Sequence, residues 1–162
     1  MPTPPFVLAL RAVIGHHPLW LSGVTAVVLR EGAGVGQVPQ VLLVRRADTG
    51  AWTPVTGIID PGEQPAAAAA REVLEEASVI AVPERLAWVN ALAPMTYDNG
   101  DQAQYLDLTF RFRWVSGEPT PGDDENTEAA FFPLDGLPTM SAHMRDRIER
   151  ALPLEGPADF EV

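Results

Sequence analysis

Three glutamates, Glu72, Glu75 and Glu76, fall within five consecutive positions, with Arg71 directly before them. On a helix, positions i, i+3 and i+4 share one sector, so the three carboxylates stand side by side. In water such neighbours repel by about 0.2 to 0.5 kcal/mol per pair. A divalent cation reverses that sign. Carboxylate oxygens are hard ligands, and Mg²⁺ or Mn²⁺ held by them keeps open water positions and bridges phosphate oxygens. The cluster taken alone also fits a solubilising helix face with Arg71 as its partner.

The composition narrows the chemistry. The chain has 162 residues, 46% of them hydrophobic, which is enough for one domain with a sizeable core. There is no cysteine, so disulfides, thiolate metal sites and cysteine nucleophiles are excluded. Every basic residue other than histidine is arginine, which removes Schiff-base lysines and a Walker lysine and leaves phosphate contacts to Arg or to a metal. A formal net charge of −11 disfavours nucleic acid and anionic membrane surfaces as partners. The apolar stretch from Phe6 to Leu21 is interrupted by Arg11, His16, His17 and Pro18, so it reads as a short helix over Pro5 to Ile14 ended by Gly15. The expected compartment is the cytoplasm.

The elements that must position the acids follow from local pattern. Strands are predicted over Val24 to Arg30 and over "VLLVRR", with the Gly-rich "EGAGVGQVPQ" between them, and a third extended stretch is "WTPVTGIID". Pro65 suits a first helical turn and the alanine block Ala66 to Ala70 has the best helix propensity, so a helix runs from Pro65 to Ala77. Ala66, Ala69, Ala70, Val73 and Ala77, with Leu74 and Ala67 at the edge, form the predicted buried face, and the acids are expected to point away from it. "LAWVNALA" and "QYLDLTFRFRWV" are long strands joined through an Asn99-Gly100 hairpin signal. In the second of these, one alternating set of residues is apolar and faces the core. "AFFPL" is a short strand. Ser141 caps a last helix stopped by Pro153, and the tail "EGPADFEV" is expected to be loosely ordered. This order implies an α/β or α+β sandwich, a mixed sheet between helices in a single domain.

Gly57, then five residues, Glu63, then seven, then Arg71-Glu72-Val73-Leu74-Glu75-Glu76-Ala77-Ser78-Val79 resembles the Nudix box, G-x5-E-x7-R-E-U-x-E-E-x-G-U, where U is aliphatic. Ser78 departs from it where the family has glycine, and Thr56-Gly57 replaces the usual pair of glycines before the box. The resemblance implies a Nudix-like α/β/α sandwich. It divides the chain into an N-terminal helix and arm over 1–20, a Nudix hydrolase domain over 21–153 and a C-terminal tail over 154–162. It also implies Mg²⁺- or Mn²⁺-dependent cleavage of a pyrophosphate bond in a nucleoside diphosphate linked to another moiety, with nucleoside triphosphates and ADP-ribose-like nucleotide sugars foremost. The alternative it leaves is a non-catalytic nucleotide or ADP-ribose sensor.

By the same resemblance Arg71 pairs with Glu63 in a structural role, and Glu72, Glu75 and Glu76 hold the metal with the Gly57 backbone carbonyl. Glu72 or Glu75 serves as base. Asp123, Asp124, Glu125 and Glu128 lie in a loop from which family members often bring a further carboxylate. Arg46 is a candidate phosphate contact, and Trp52 and Tyr97 are candidates for stacking on a base or ribose. The expected partner is a small nucleotide, with neither nucleic acid nor membrane; a homodimer, common in the family, is left open by the sequence.

Overall fold

The computed structural model describes residues 3–32, 37–122 and 124–162. Most of the "EGAGVGQVPQ" connection is therefore described only at its ends, and Asp123 lies outside the described residues. Helix α1 (Pro5–Ile14) starts on a proline and ends at Gly15, whose φ of 60° suits glycine. Strand β1 (Leu19–Arg30) is the axis of the sheet. One edge pairs in parallel with β7 (Gln102–Ser116), from Leu19 opposite Ala103 to Leu29 opposite Arg113. The other edge is shared between β4 (Val55–Ile58), opposite Gly23 to Ala26, and β2 (Gln40–Arg46), opposite Leu29 and Arg30, both antiparallel.

Outward from this axis, β2 pairs with β3 (Trp52–Thr53) and with β8 (Asn126–Pro133), and β7 pairs with β5 (Ile80–Ala91) and the short β6 (Met95–Thr96). The mixed sheet lies between helices. Val24, Ala26 and Val28 of β1 point to one face, where α2 (Pro65–Ala77) packs with Ala68, Ala69, Val73 and Ala77. Val27 and Leu29 point to the other, against Ile148 and Ala151 of α3 (Ala142–Ala151), while Leu21 meets Val7 of α1. Ser141 caps α3 as its sequence predicts, accepting from the Met144 N–H at 3.3 Å. Among the described residues no helix is long and apolar enough to cross a membrane.

Two features differ from expectation, the start of β1 and the order of the tail, each because of contacts distant in sequence. β1 begins at Leu19 and not at Val24, because parallel pairing with β7 extends to its first residue. The polar side of β7 is covered as well, by α1 and α3, so Asp107 and Thr109 are buried. Their polar groups are matched internally, with Thr25 and Thr109 hydroxyls donating to Asp107 at 3.0 and 2.9 Å and Arg147 of α3 donating to Thr25 at 2.6 Å. The tail is not loose. Asp159 and Phe160 form β9, parallel to Trp88 and Val89 on the outer edge of β5. Arg85 donates to the carbonyls of Arg150, Pro153 and Pro157, and Arg150 pairs with Asp159 and Glu161, both at 3.1 Å.

Helix α2 ends at Ser78 in the left-handed region (φ 56°, ψ 28°), and Ser78 is the one non-glycine residue with positive φ among the described residues. Its N–H donates to the Leu74 carbonyl, while Thr120 and Gly122 N–H groups reach the carbonyls of Ala77 and Glu76. The residue after the helix must therefore turn left-handed for the 117–122 loop to close these carbonyls. A Cβ in that conformation costs about 1 kcal/mol relative to glycine. Ser78→Gly is expected to raise unfolding stability by about 1 kcal/mol in urea denaturation, with an unchanged denaturant slope.

Candidate functional site

The alanine block seats α2 close against the sheet, and of the three acids only Glu75 points away from that contact, being half-exposed. Glu72 is fully buried and Glu76 is 4% exposed, whereas Leu74 is 54% exposed. The inward sector of α2 is thus Ala68, Ala69, Glu72, Val73, Glu76 and Ala77. The helix is rotated from the alanine-and-leucine face because Glu72 is drawn under β4. Gly57 makes this possible, since a Cβ there would overlap the Glu72 carboxyl group.

Arg71 fixes the acids around it. Its Nε and Nη2 grip both oxygens of Glu63 at 2.9 Å each, the fork-to-fork geometry that gives arginine its bidentate specificity. Nη1 donates to Glu72 at 2.9 Å and to Glu75 at 3.1 Å, and Nη2 also lies 3.4 Å from the Ile58 carbonyl. The pairing holds the Glu63 carboxyl below its usual range and raises Arg71 above its own, Glu63 being the main cause. The turn 58–63 is thereby clamped to the helix.

Glu72 responds differently. Burial outweighs the attraction of Arg71, and Glu76 and Glu75 add repulsion, so its carboxyl is pushed up to about 8. Its Oε1 is taken by Arg71, while the buried Oε2 has no hydrogen-bond partner among the described residues. Glu76 accepts from Asn126 Nδ2 at 3.1 Å. Glu72, Glu75 and Glu76 lie in the last turns of α2, at its negative dipole end, and no basic side chain of the last turn offsets them.

The donor set fits a hard divalent cation. An unpartnered buried carboxylate oxygen, two neighbouring carboxylates and a helix C-terminal end all favour positive charge there. Among the described residues no three acidic or histidine side chains already converge as a ligand set, because Glu72 and Glu75 both face Arg71 Nη1 and Glu76 faces Asn126. A cation held by Glu72 and Glu75 would compete with that nitrogen for the two carboxylates.

The family model of the NUDIX domain matches residues 20–152, a span that includes the turn, the clamp and the acidic helix. The chain belongs to the NUDIX family. A NUDIX hydrolase from Nitrosomonas europaea superimposes with a TM-score of 0.61 and 27% identity, over 82% of this chain and 88% of that one. An ADP-ribose pyrophosphatase from Streptococcus suis gives 0.64 at 20% identity, over 87% and 98%. The NAD-capped RNA hydrolase NudC of Pseudomonas aeruginosa is 34% identical over 105 residues, which are 64% of this chain and 35% of NudC. The chain thus spans about a third of the length of the curated relatives it matches.

The other candidate residues of this NUDIX chain are placed unevenly. Arg46 makes a two-point pair with Asp48 at 2.9 and 2.6 Å; this contact chiefly raises its pKa, and Glu76 and the Tyr97 hydroxyl are near enough to add to the effect. Tyr97 is exposed, its hydroxyl 2.7 Å from that of Tyr105. Trp52 is half-buried and packs edge-on to Phe132 at 4.9 Å, as a wall of the α3-side core. Glu128 is an exposed partner of Arg45 at 2.7 Å, and the Glu125 carbonyl accepts from the Ala47 N–H. Asn126, adjacent to Glu125, is the residue that sequence reasoning missed. It stands opposite Arg46 in the β2–β8 ladder, a register that short-range pattern does not reveal.

The raised Glu72 carboxyl has a consequence for stability. The folded state keeps this proton at pH values where the unfolded chain, with an ordinary carboxyl near 4.5, has lost it. Stability in the absence of divalent cation is therefore expected to fall as pH rises from about 4.5 to about 8. Glu72→Gln should flatten that part of the pH–stability curve in chelator-containing urea titrations.

Proposed function

We propose that this NUDIX protein is a Mg²⁺- or Mn²⁺-dependent hydrolase that cleaves a pyrophosphate bond in a nucleoside diphosphate linked to another moiety. The observation that carries the reading is the buried, half-satisfied Glu72 carboxylate beside Glu75 and Glu76, held in place by an arginine that is itself locked to Glu63. A purely structural buried acid has its acceptors filled. This one keeps a lone oxygen for a ligand.

In this reading Glu72, Glu75 and Glu76, with the Gly57 carbonyl, hold the cation. When bound, it masks pyrophosphate charge as a Lewis acid and lowers the pKa of water. Arg71 acts at one remove, fixing the rotamers of Glu72 and Glu75. Glu75, half-exposed where Glu72 and Glu76 are buried, is the carboxylate that solvent reaches, and it is assigned as proton acceptor for the attacking water. Asn126 orients Glu76. Arg46 meets a phosphate oxygen after exchanging Asp48 for it, and Tyr97 offers a ring to the base or ribose.

The substrate class is a small nucleotide carrying an anhydride, such as a nucleoside triphosphate, a dinucleotide or an ADP-ribose-like nucleotide sugar. The net charge of −11 supplies no positive field to draw in an RNA chain, so a free nucleotide is favoured over a capped RNA. The expected site of action is the cytoplasm.

A panel of these compounds, incubated with the protein and Mg²⁺ or Mn²⁺, is expected to give phosphate-terminated products from at least one. Glu75→Gln is expected to lower kcat by about 10²- to 10⁴-fold while the circular dichroism spectrum is retained. Tight binding of a compound with no turnover by the unmodified protein would replace the enzyme reading with that of a sensor.

A further inference from the structure

The hairpin that carries Tyr97 is clasped by the N-terminal helix. Arg11 of α1 sends Nη1 to the carbonyls of Gly15 and His17 at 3.1 and 2.6 Å, and Nη2 to the Gln102 carbonyl at 2.7 Å. Its Nε is 3.5 Å from Asp101 Oδ1, and His16 Nδ1 lies 2.8 Å from the same oxygen. The main-chain carbonyl of His16 also accepts from the Gln102 N–H at 3.2 Å. Asp101 then closes the hairpin: its carbonyl accepts from the Tyr97 N–H at 2.9 Å, its own N–H donates to Asn99 Oδ1, and the Tyr97 carbonyl accepts from Gly100. The Tyr97 hydroxyl is tied in turn to Tyr105, whose side chain packs against the cluster of Val7 from α1 with Leu21 and Ala103.

The energetics of α1 argue that this clasp serves the hairpin more than the helix. Only Val7 of α1 is buried, while Leu8, Leu10 and Val13 are exposed. A helix docked for its hydrophobic contribution turns its leucines inward. Here Val7 and the Arg11 guanidinium turn inward, and the guanidinium ties the end of α1, at the Gly15 and His17 carbonyls, to Gln102 and Asp101 at the foot of the Tyr97 turn.

We infer that Arg11, acting through Asp101 and Gln102, is a positioning residue that holds Tyr97 in place for the nucleotide. This deepens the function proposed above and rests on its assignment of Tyr97 to the substrate. Arg11 touches neither the nucleotide nor the acids. It lowers the freedom of the turn, so the tyrosine ring is in place before the ligand arrives and binding does not have to order it.

Steady-state kinetics of the full chain test this with the substrate found in the panel. Arg11→Ala and Tyr97→Ala are each expected to raise KM about tenfold with less than about a twofold change in kcat. The double variant is expected to raise KM no further than the larger single, the non-additivity of residues that act as a unit. An effect of Tyr97→Ala with none of Arg11→Ala overturns the positioning role and leaves the substrate contact standing; no effect of Tyr97→Ala overturns the contact itself. Additive effects in the double variant also overturn the positioning role. A readout independent of turnover is amide hydrogen exchange: Arg11→Ala is expected to speed exchange at the Tyr97 N–H about tenfold or more with α2 amides unchanged. Equal protection at Tyr97 in both proteins refutes the clasp. Should Arg11→Ala not fold, Asp101→Asn removes the charge facing Arg11 and His16 while keeping the backbone bonds, and is expected to move KM and exchange in the same direction.

Discussion

The Arg71 guanidinium meets three carboxylates and a backbone carbonyl within 3.4 Å, and the acidic side of the molecule is arranged around it. Two of its nitrogens are spent on Glu63, which makes the 58–63 turn a fixed part of the helix and not a loose loop. The third holds Glu72 and Glu75 together on one nitrogen. A lysine has neither the fork nor the reach to do both at once. The constraint extends to Gly57, because the only room for Glu72 beneath β4 is the space that a side chain there would fill.

Glu72 is an expensive group to bury. Arg71 offsets part of that cost, and the remaining oxygen is left without a partner. The protein carries a comparable burden on the other face of the sheet, but there Asp107 is surrounded by Thr25, Thr109 and Arg147. The contrast is informative. Where a buried acid serves the fold, donors close around it; where one is incompletely satisfied, it lies beside two further carboxylates at a helix C-terminal end, the setting in which a divalent ion is most favoured. The proposed hydrolase chemistry draws on that difference.

Much of this was legible in the sequence, for reasons that differ by element. Pro5, Gly15, Pro65 and Ser141 mark helix ends because their effects are local. The spacing Gly57, Glu63, Arg71 carries the clamp because turn and helix are adjacent in the chain. Glu75 points outward as its helix position implies, but Glu72 and Glu76 point inward: alanine is equally content on either side of a helix, and the rotation of α2 is decided by Glu72 fitting under β4. Asn126 was invisible for a related reason, since it reaches Glu76 only through the β2–β8 register and the 117–122 loop folded over the end of α2. Nothing within β7 reports that α1 and α3 cover its polar side. The tail looked disordered because its hold depends on Arg85, far away in sequence.

Ser78 shows the same interplay at a single position. The loop over the helix end demands a left-handed residue, and the chain accepts serine there at the expense of some stability while keeping the carbonyl closures that bring Asn126 to Glu76. The central claim is that the buried glutamate pair is tolerated because a divalent cation completes it. Isothermal titration of Mg²⁺ into the unmodified protein and into Glu72→Gln tests that most directly. The account predicts saturable binding by the first and an affinity at least about tenfold weaker in the second; no binding by the unmodified protein, or equal binding by both, would contradict it.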